Sequence, residues 1–271
     1  MKLLKIEWLK LRNHKFFWIG MALYALSMIV LITQMGRFAP FDSKNNEGGM
    51  IAFQNLADAG LYKLPYIWQH VTYLASFFKF IPAFLLIFFI SNEYQYKTYR
   101  QNVIDGLSIG QYYISKLYSA LIFTAISLLI VTITGFIMAL LHNDNIDWTK
   151  FLYGTDYLTA FFVEVLFIMM FTMFLTMVFK RSTITVIVIL AYYFIAEPLL
   201  GLVIGEPVKN YLPTEPSRLL NLQPITRLLG ADAFLGNVTP SVVSIKYLLT
   251  STFYTLLLAF GGFLILKKRD L

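Results

Sequence analysis

Long apolar runs alternate with shorter polar segments along the whole chain. A run of about 20 apolar residues forms a helix that crosses the hydrocarbon core of a bilayer, at ~1.5 Å per residue. The pattern predicts an all-α polytopic membrane protein with six transmembrane helices. The predicted spans are 16–35, 71–90, 117–141, 157–179, 183–205 and 246–266.

The polar segment 91–116 lies between the second and third predicted spans and reads SNEYQYKTYRQNVIDGLSIGQYYISK. Gly106 suits the left-handed position that ends a helix, and Ser108 and Gln111 have the spacing of a capping box for the next helix. We therefore predict two short helical pieces joined by a tight turn. Together they form a folded hairpin tip.

The first 15 residues, MKLLKIEWLKLRNHK, predict an interfacial helix in which Leu4, Trp8 and Leu11 share one face. Ile6 and Leu9 fall outside this stripe, so we expect protein to cover part of that second face. The helix either anchors the first span through its positive charge or docks onto the protein. The residues leave both interpretations open.

The segment 206–245 is too long for a tight turn and too rich in proline for a span. Short helices are predicted over 216–222 and 225–234, and another over 51–59 in the first polar loop. Irregular backbone at membrane depth is tolerated only where protein or water covers it. The segment 206–245 is therefore either a re-entrant region over the mouth of a cavity or an amphipathic external loop.

Composition supports the membrane assignment, because 58% of the residues are hydrophobic and 14% are charged, against about 25% charged in soluble domains. The net charge of +7 does not indicate nucleic acid, since the cations are split among short segments beside apolar runs. Most lysines and arginines fall on the side that holds both termini, 91–116 and the turn at 180–181. Short cytoplasmic loops retain positive charge, so both termini are predicted to be cytoplasmic.

Three ionisable residues lie inside predicted spans: Lys79, Glu164 and Glu197. A charge at membrane depth costs at least about 2.5 to 3.5 kcal/mol, so each should face protein or water and find a partner. All three fall at a similar depth, and Lys79 is expected to pair with Glu164 or with Glu197. Such a pair marks a substrate pathway or gate, or it fixes helix register. Pro198 is expected to kink or end the fifth helix.

Recognised catalytic devices are absent from the sequence. It has no cysteine, and no GxxxxGK[ST] or HExxH motif. We therefore predict no catalytic residue, no metal site and no cofactor bound by this chain. An intramembrane enzyme that uses Glu164 or Glu197 is disfavoured, because no second acid, nucleophile or ligand set accompanies either residue.

Two stretches resemble the permease subunits of ABC-2 type ABC transporters. The first, 92–117, has the order of that family's link between the second and third spans. Its matching residues are Glu93, Thr98, Val103, Ile104, Gly106 to Ser108 and Lys116. The second, IEWLKLRNHKFF, resembles the opening helix, with Glu7, Lys10 and Arg12 at its polar positions and Trp8 on the same helix. The chain departs from the family at Lys97, where glycine is frequent, and at Ile109, where a basic residue is frequent.

The resemblance implies one ABC-2 type transmembrane domain over 1–271, whose link is a coupling helix seated in a groove of a separate ATPase. Ionic contacts to the ATPase are then expected from Glu93, Lys97, Arg100 and Asp105, and apolar contacts from Val103, Ile104 and Leu107. ATP and magnesium would bind the ATPase, and a second permease, identical or related, would complete the pathway.

The implied function is the permease subunit of an ATP-driven exporter in a prokaryotic cytoplasmic membrane, with membrane lipid around it. The alternative is a membrane-embedded interaction or sensor protein that transports nothing.

Overall fold

The computed structural model describes residues 2–37, 61–144, 147–222, 224 and 242–268. Every regular element in these residues is a helix. The α-helices are α1 Lys2–Arg12, α2 Lys15–Arg37, α3 Ile67–Ser76, α4 Phe80–Gln95, α5 Thr98–Ile104, α6 Ile109–His142, α7 Trp148–Leu152, α8 Asp156–Phe179, α9 Ser182–Ala191, α10 Glu197–Ile204, α11 Glu215–Arg218 and α12 Ile245–Lys268. A π-helical turn, Tyr192–Ala196, joins α9 to α10, and a 3-10 turn, Val208–Tyr211, precedes α11.

Five helical segments in the described residues are long and apolar enough to cross a membrane, and a sixth is obtained if the bent pair α3 and α4 is one span. The five are Lys15–Met35, Ile109–His142, Trp148–Phe179, Ser182–Ile204 and Ile245–Lys268. The prediction of an all-helical chain with several membrane-capable helices is confirmed.

The predicted second span, 71–90, is not one straight helix. It is divided into α3 and α4, which meet at an angle of 45°. Pro82 lies in the first turn of α4 and has no backbone N–H to donate to the carbonyl of Phe78, so the regular hydrogen-bond ladder is interrupted there. Tighter turns replace it: the Phe78 amide donates to Ala75 O at 3.0 Å and the Ile81 amide to Phe78 O at 3.0 Å. The break places Lys79 at the start of α4.

The predicted fifth span, seen as the segment Ser182–Ile204, does not end at Pro198, so of the two expected effects of this proline, a kink or an end, the end is wrong. Pro198 occupies the first turn of α10, and the π-helical turn directly before it absorbs the missing hydrogen bond. The helix continues to Ile204 and ends at Gly205, whose φ is +72°.

Helix α8 lies at the centre of the bundle and contacts α3, α4, α6, α9, α11 and α12. In the most apolar part of the membrane-capable segment that contains α8, two thirds (67%) of the residues are buried, against 17% in the corresponding part of α12. Phe161, Phe167 and Met169 of α8 are fully buried. Its buried threonines, Thr172 and Thr176, donate to carbonyls of the same helix, so their hydroxyls need no other partner.

Peripheral helices expose apolar stripes, as helices that face lipid or another apolar surface do. On α12 the stripe contains Leu249, Phe253, Leu256 and Phe260, all more than 60% exposed at helical spacing. A stripe of this length is unfavourable in water, which agrees with a membrane environment.

Helix α1 turns its buried face the opposite way from the prediction. Leu11 is buried and Trp8 is half-buried against the core, whereas Ile6 and Leu9 are 47% and 43% exposed. The expectation that protein covers Ile6 and Leu9 is wrong, because the buried face is set by Glu7, which lies on the same side of the helix as Leu11 and finds polar partners there.

The predicted helix 216–222 is shorter and begins one residue earlier, as α11. The helices predicted over 225–234 and 51–59 lie outside the described residues. The described residues of 206–245 form turns and short helices, and none of these helices is long enough to span a membrane.

Candidate functional site

The segment between α4 and α6 folds as a capped hairpin, which confirms the predicted turn. At the end of α5 the Leu107 amide donates to Asn102 O at 3.0 Å and the Gly106 amide to Val103 O at 3.1 Å, the pair of bonds that defines a Schellman motif. Gly106 has φ +101°. Ser108 then caps α6 reciprocally with Gln111, through bonds of 3.2 and 3.0 Å. The end of α5 and the start of α6 thus both have hydrogen-bond partners for their backbone groups, which makes the tip rigid.

The other end of α5 begins at Lys97, which has φ +56° and is therefore left-handed. Glycine adopts this conformation without strain, whereas an L side chain costs about 1 to 2 kcal/mol there. Glycine is frequent at the position of Lys97 in the family that the chain resembles, and the left-handed backbone here gives a physical reason for that preference.

The hairpin surface exposes a small apolar patch. Ile104 is 78% exposed and Tyr96 is 72% exposed. Val103 and Leu107 are half-buried, and Val103 packs against the hydrophobic core, while Arg100 and Asp105 are exposed. Tyr96 was missed by sequence reasoning, because one aromatic among many near a helix end gives no separate signal.

Four charged residues alternate in sign where α1, α4 and α6 meet, and we call them the α1 ionic cluster: Glu7, Lys10, Glu93 and Lys116. Lys116 is 2% exposed, and its ammonium lies 3.2 Å from Glu7 Oε2 and 2.6 Å from Glu93 Oε1. Lys10 contacts the same two carboxylates at 3.1 and 3.6 Å. Two positive and two negative groups are thus balanced.

Neutral donors complete the α1 ionic cluster. Ser119 donates to Glu7 Oε2 at 2.8 Å, and Tyr112 donates to Glu93 Oε2 at 2.8 Å. Of the residues predicted to contact an ATPase, Glu93 is therefore engaged inside the protein, while Lys97, Arg100, Ile104 and Asp105 are at the surface. The predicted interfacial residue Arg12 is exposed, and its carbonyl accepts from Trp18 Nε1 at 2.8 Å.

The pKa of Glu7 shows which influence dominates. Burial alone raises the pKa of a carboxyl group, but the ammonium groups of Lys116 and Lys10, with the Ser119 hydrogen bond, hold the pKa of Glu7 below its ordinary value. Burial likewise lowers the pKa of Lys10, yet Glu93 and Glu7 raise it overall. Both groups are therefore charged at neutral pH.

The intramembrane polar residues form a second cluster at the break between α3 and α4. Lys79 is paired with Glu164 and donates to Tyr193 Oη at 2.7 Å. Glu164 also accepts from Ser76 at 2.7 Å and from the side-chain amide of Asn221. Of the two partners foreseen for Lys79, Glu164 is the one that it contacts.

Glu197 has a different role from Lys79 and Glu164. It is fully buried, and its Oε1 accepts from the backbone amides of Thr214 and Glu215 at 2.7 and 3.0 Å. It therefore fixes the loop that follows α10 against that helix.

A cavity of about 310 Å³ adjoins the Lys79–Glu164 pair. Arg218 stacks over the Tyr193 ring at 4.3 Å beside it, and the exposed rings of Phe77 and Phe194 form its rim. Asn221 lines the cavity, is 5% exposed, and has a side-chain oxygen with no partner in the described part of the chain. The cavity thus offers a hydrogen-bond acceptor and aromatic surface.

The two clusters differ in how far the sequence could indicate their residues. Lys116 was noted as the residue that opens the third span, and Ser119 lies one turn later on the same face, so this pair had a signal. Asn221 and Arg218 had none, because their contacts bridge more than 20 residues of chain.

A family model described as ABC-2 family transporter protein matches residues 3–197. The chain belongs to the ABC-2 transporter family. The matched region contains the whole α1 ionic cluster, the hairpin and the Lys79–Glu164 pair. The protein is therefore a multi-pass membrane permease of the ABC transporter class. Among the curated proteins none matches the chain.

The left-handed backbone at the two ends of α5 predicts opposite effects of substitution. Lys97→Gly should stabilise the protein by about 1 kcal/mol, and Gly106→Ala should destabilise it by about 1 kcal/mol. No heavy atom lies within 4 Å of the added Cβ at Gly106, so its cost is that of the backbone alone. Thermal unfolding of the purified protein measures both changes. Shifts of the same sign would contradict this account.

Acid should release α1 from the bundle. A carboxyl whose pKa is lowered by folding contributes stability above its unfolded pKa and loses it as the pH falls through the folded value. Because the chain has no cysteine, Lys5→Cys gives a single spin-labelling site on the exposed side of α1. We expect the label to become mobile below the ordinary carboxyl range, and Glu7→Gln to raise its mobility at every pH. A label at Lys267→Cys is the control, and an equal response at both sites would exclude the mechanism.

Replacing either Lys79 or Glu164 with methionine should lower the free energy of unfolding by roughly 3 to 5 kcal/mol, because the remaining residue is then a buried charge without a partner of opposite sign. The double variant Lys79→Met/Glu164→Met should cost less than the worse single variant. Thermal unfolding of all three variants measures this difference. The exposed pair Lys150 and Asp147, at 3.8 Å, is the control and should give small, additive changes. Additive losses at Lys79 and Glu164 would refute the interaction.

Proposed function

We propose that the protein is the permease subunit of an ATP-driven exporter, and that a separate ATPase docks on the α5 hairpin. The observation that carries the proposal is the capped hairpin itself, which exposes Ile104 at its tip while its base is held by the α1 ionic cluster. A rigid tip with an apolar contact residue is suited to receive displacement from a second protein.

Displacement at the tip would reach three helices at once. Glu93 lies near the end of α4, only a few residues before α5, and Lys116 joins it to Glu7 of α1 and belongs to α6. Because these contacts are short and buried, α1 and α6 follow α4 when the hairpin moves. This gives a physical path from the ATPase to the transmembrane bundle without requiring flexible loops.

The distribution of cations supports a cytoplasmic position for the hairpin. Tyr113, near the start of α6, donates to the carbonyl of Ala259, so the last turns of α12 lie at the α5 end of the bundle. That end carries most of the described lysines and arginines: Lys5, Lys10, Arg12, Lys15, Lys97, Arg100, Lys116, Lys180, Arg181, Lys267 and Lys268. Positive charge on short segments favours the cytoplasmic side, so both termini are proposed to be cytoplasmic in a prokaryotic cytoplasmic membrane.

A second permease, identical or related, is proposed to complete the transport pathway. The apolar stripe of α12 and the similar stripe of α2, with Ile19, Leu23 and Leu26 all more than 50% exposed, are available to lipid or to that partner. Within each permease, the cavity at the Lys79–Glu164 pair is proposed to line the pathway. Its polar residues and aromatic rim support this proposal.

The docking proposal predicts that Ile104→Asp weakens ATPase binding without unfolding the permease. A charged side chain in an apolar groove should reduce the affinity at least about tenfold, since burial of an unpaired charge is strongly unfavourable. Co-purification with the ATPase encoded nearest to this permease, and its ATP hydrolysis in the complex, measure the loss. Leu152→Asp is the matched control, because Leu152 is 63% exposed at the opposite end of the bundle.

The two outcomes that contradict docking on the hairpin are clear. If Ile104→Asp retains full ATPase binding, the tip is not the contact. If an ATPase binds but no substrate crosses the membrane in reconstituted vesicles, the protein is an interaction or sensor protein.

A further inference from the structure

A second and larger cavity, of about 950 Å³, lies between the start of α5 and the turn that joins α8 to α9. Its walls carry four cations, Lys97, Arg100, Lys180 and Arg181, and no carboxylate belongs to its described lining. Hydroxyl groups of Ser91, Ser182 and Thr183 also line it. The chemistry of this wall is that of an anion site.

The cations of this cavity differ from those of the α1 ionic cluster. Lys10 and Lys116 are neutralised by Glu7 and Glu93, whereas Lys97, Arg100 and Arg181 form no ion pair with any residue of the described part. Like charges around one cavity repel each other, and an anion between them would offset that repulsion. The positive charge of the cavity wall is therefore not balanced by any carboxylate in its described lining.

Both turns that bound the cavity hold a lysine in the left-handed region. Lys97 has φ +56° and Lys180 has φ +57°. Glycine would remove this backbone cost at either position. Each turn thus keeps a cationic side chain where the backbone alone favours glycine.

The position of the cavity relative to the membrane-capable helices indicates the kind of anion. Helix α8 ends at Phe179 and α9 begins at Ser182, so the cavity lies at the level where a lipid headgroup would lie. Ile184 lines the cavity, and Ile187 is one turn farther along the same face of α9. They are 39% and 61% exposed. An apolar track therefore leads from the cations toward the membrane interior.

We propose that this cavity binds the phosphate group of an anionic phospholipid, with the acyl chains along the exposed face of α9. Arginine and lysine donate charge-assisted hydrogen bonds to phosphate oxygens, and the serine and threonine hydroxyls supply further donors. A zwitterionic lipid would lose part of this gain, because its own cation opposes the four in the wall. The site shares Lys97 and Arg100 with the hairpin on which the ATPase is proposed to dock, whereas Lys180 and Arg181 belong to the turn between α8 and α9, outside the hairpin.

Lipid titration of the purified full chain, followed by native mass spectrometry, tests the site. Phosphatidylglycerol and phosphatidylcholine with identical acyl chains are compared, and inorganic phosphate at equal concentration is added as a competitor. Phosphatidylglycerol should bind about tenfold more tightly than phosphatidylcholine. Inorganic phosphate should not displace it, because free phosphate gains nothing from the apolar track.

The variant Lys180→Gln/Arg181→Gln removes two exposed cations of the wall. At ~1 kcal/mol for each basic residue, the affinity for phosphatidylglycerol should fall by roughly 30-fold. Lys267→Gln/Lys268→Gln is the matched control, since it removes two adjacent exposed cations at the same end of the bundle. The control should bind phosphatidylglycerol like the unmodified protein.

Four results would overturn the proposal. If the two variants bind phosphatidylglycerol equally well, Lys180 and Arg181 do not contribute to the site. If the unmodified protein binds the two lipids equally well, the site does not require an anionic headgroup. Displacement by inorganic phosphate would make it a site for free anions. Loss of ATPase binding in Lys180→Gln/Arg181→Gln with unchanged lipid affinity would make the cavity a protein contact.

Discussion

The arrangement of the whole α5 end depends on one buried ammonium group, that of Lys116. It lies 2.6 Å from Glu93 and 3.2 Å from Glu7, and it is 2% exposed. A charge so poorly hydrated is tolerated only when opposite charges and hydrogen bonds surround it. The requirement acts on three helices at once, because Glu7 is carried by α1, Glu93 by α4 and Lys116 by α6. It also explains why α1 turns Glu7 inward and leaves Ile6 and Leu9 exposed.

The Lys79–Glu164 pair shows the same constraint at membrane depth, with a different result. The α1 ionic cluster contains two cations and two carboxylates and leaves no charge unbalanced. The intramembrane cluster also contains a balanced pair, but it retains an amide oxygen on Asn221 without a partner in the described residues and an adjoining cavity. The first arrangement joins helices, whereas the second leaves capacity for a ligand.

Local signals in the sequence were sufficient for the hairpin and for the all-helical class, while the six predicted spans agree with the described helices only if the bent pair α3 and α4 is one span. Gly106, Ser108 and Gln111 define a Schellman turn and a capping box within six residues, so no distant contact was needed. The break before α4 also had a local signal in Pro82, although the apolar run across it read as one span. The partner of Lys79 had none. The sequence predicts only how deep in the membrane each residue lies, and the predicted depths of Glu164 and Glu197 are similar. The packing of α4 against α8 is what makes Glu164 the partner of Lys79.

The rigid hairpin and the α1 ionic cluster at its base are both needed to transmit a displacement to the bundle. A capped tip transmits displacement only if its base cannot slip, and a salt-linked base moves helices only if the tip does not bend. Glu93 serves the base, since its carboxylate is held by Lys116 and Tyr112, and this leaves the exposed face to Tyr96, Arg100 and Ile104. Partner specificity is therefore expected to reside in residues on that face, while the ionic residues nearest to the bundle keep the same geometry whichever partner binds.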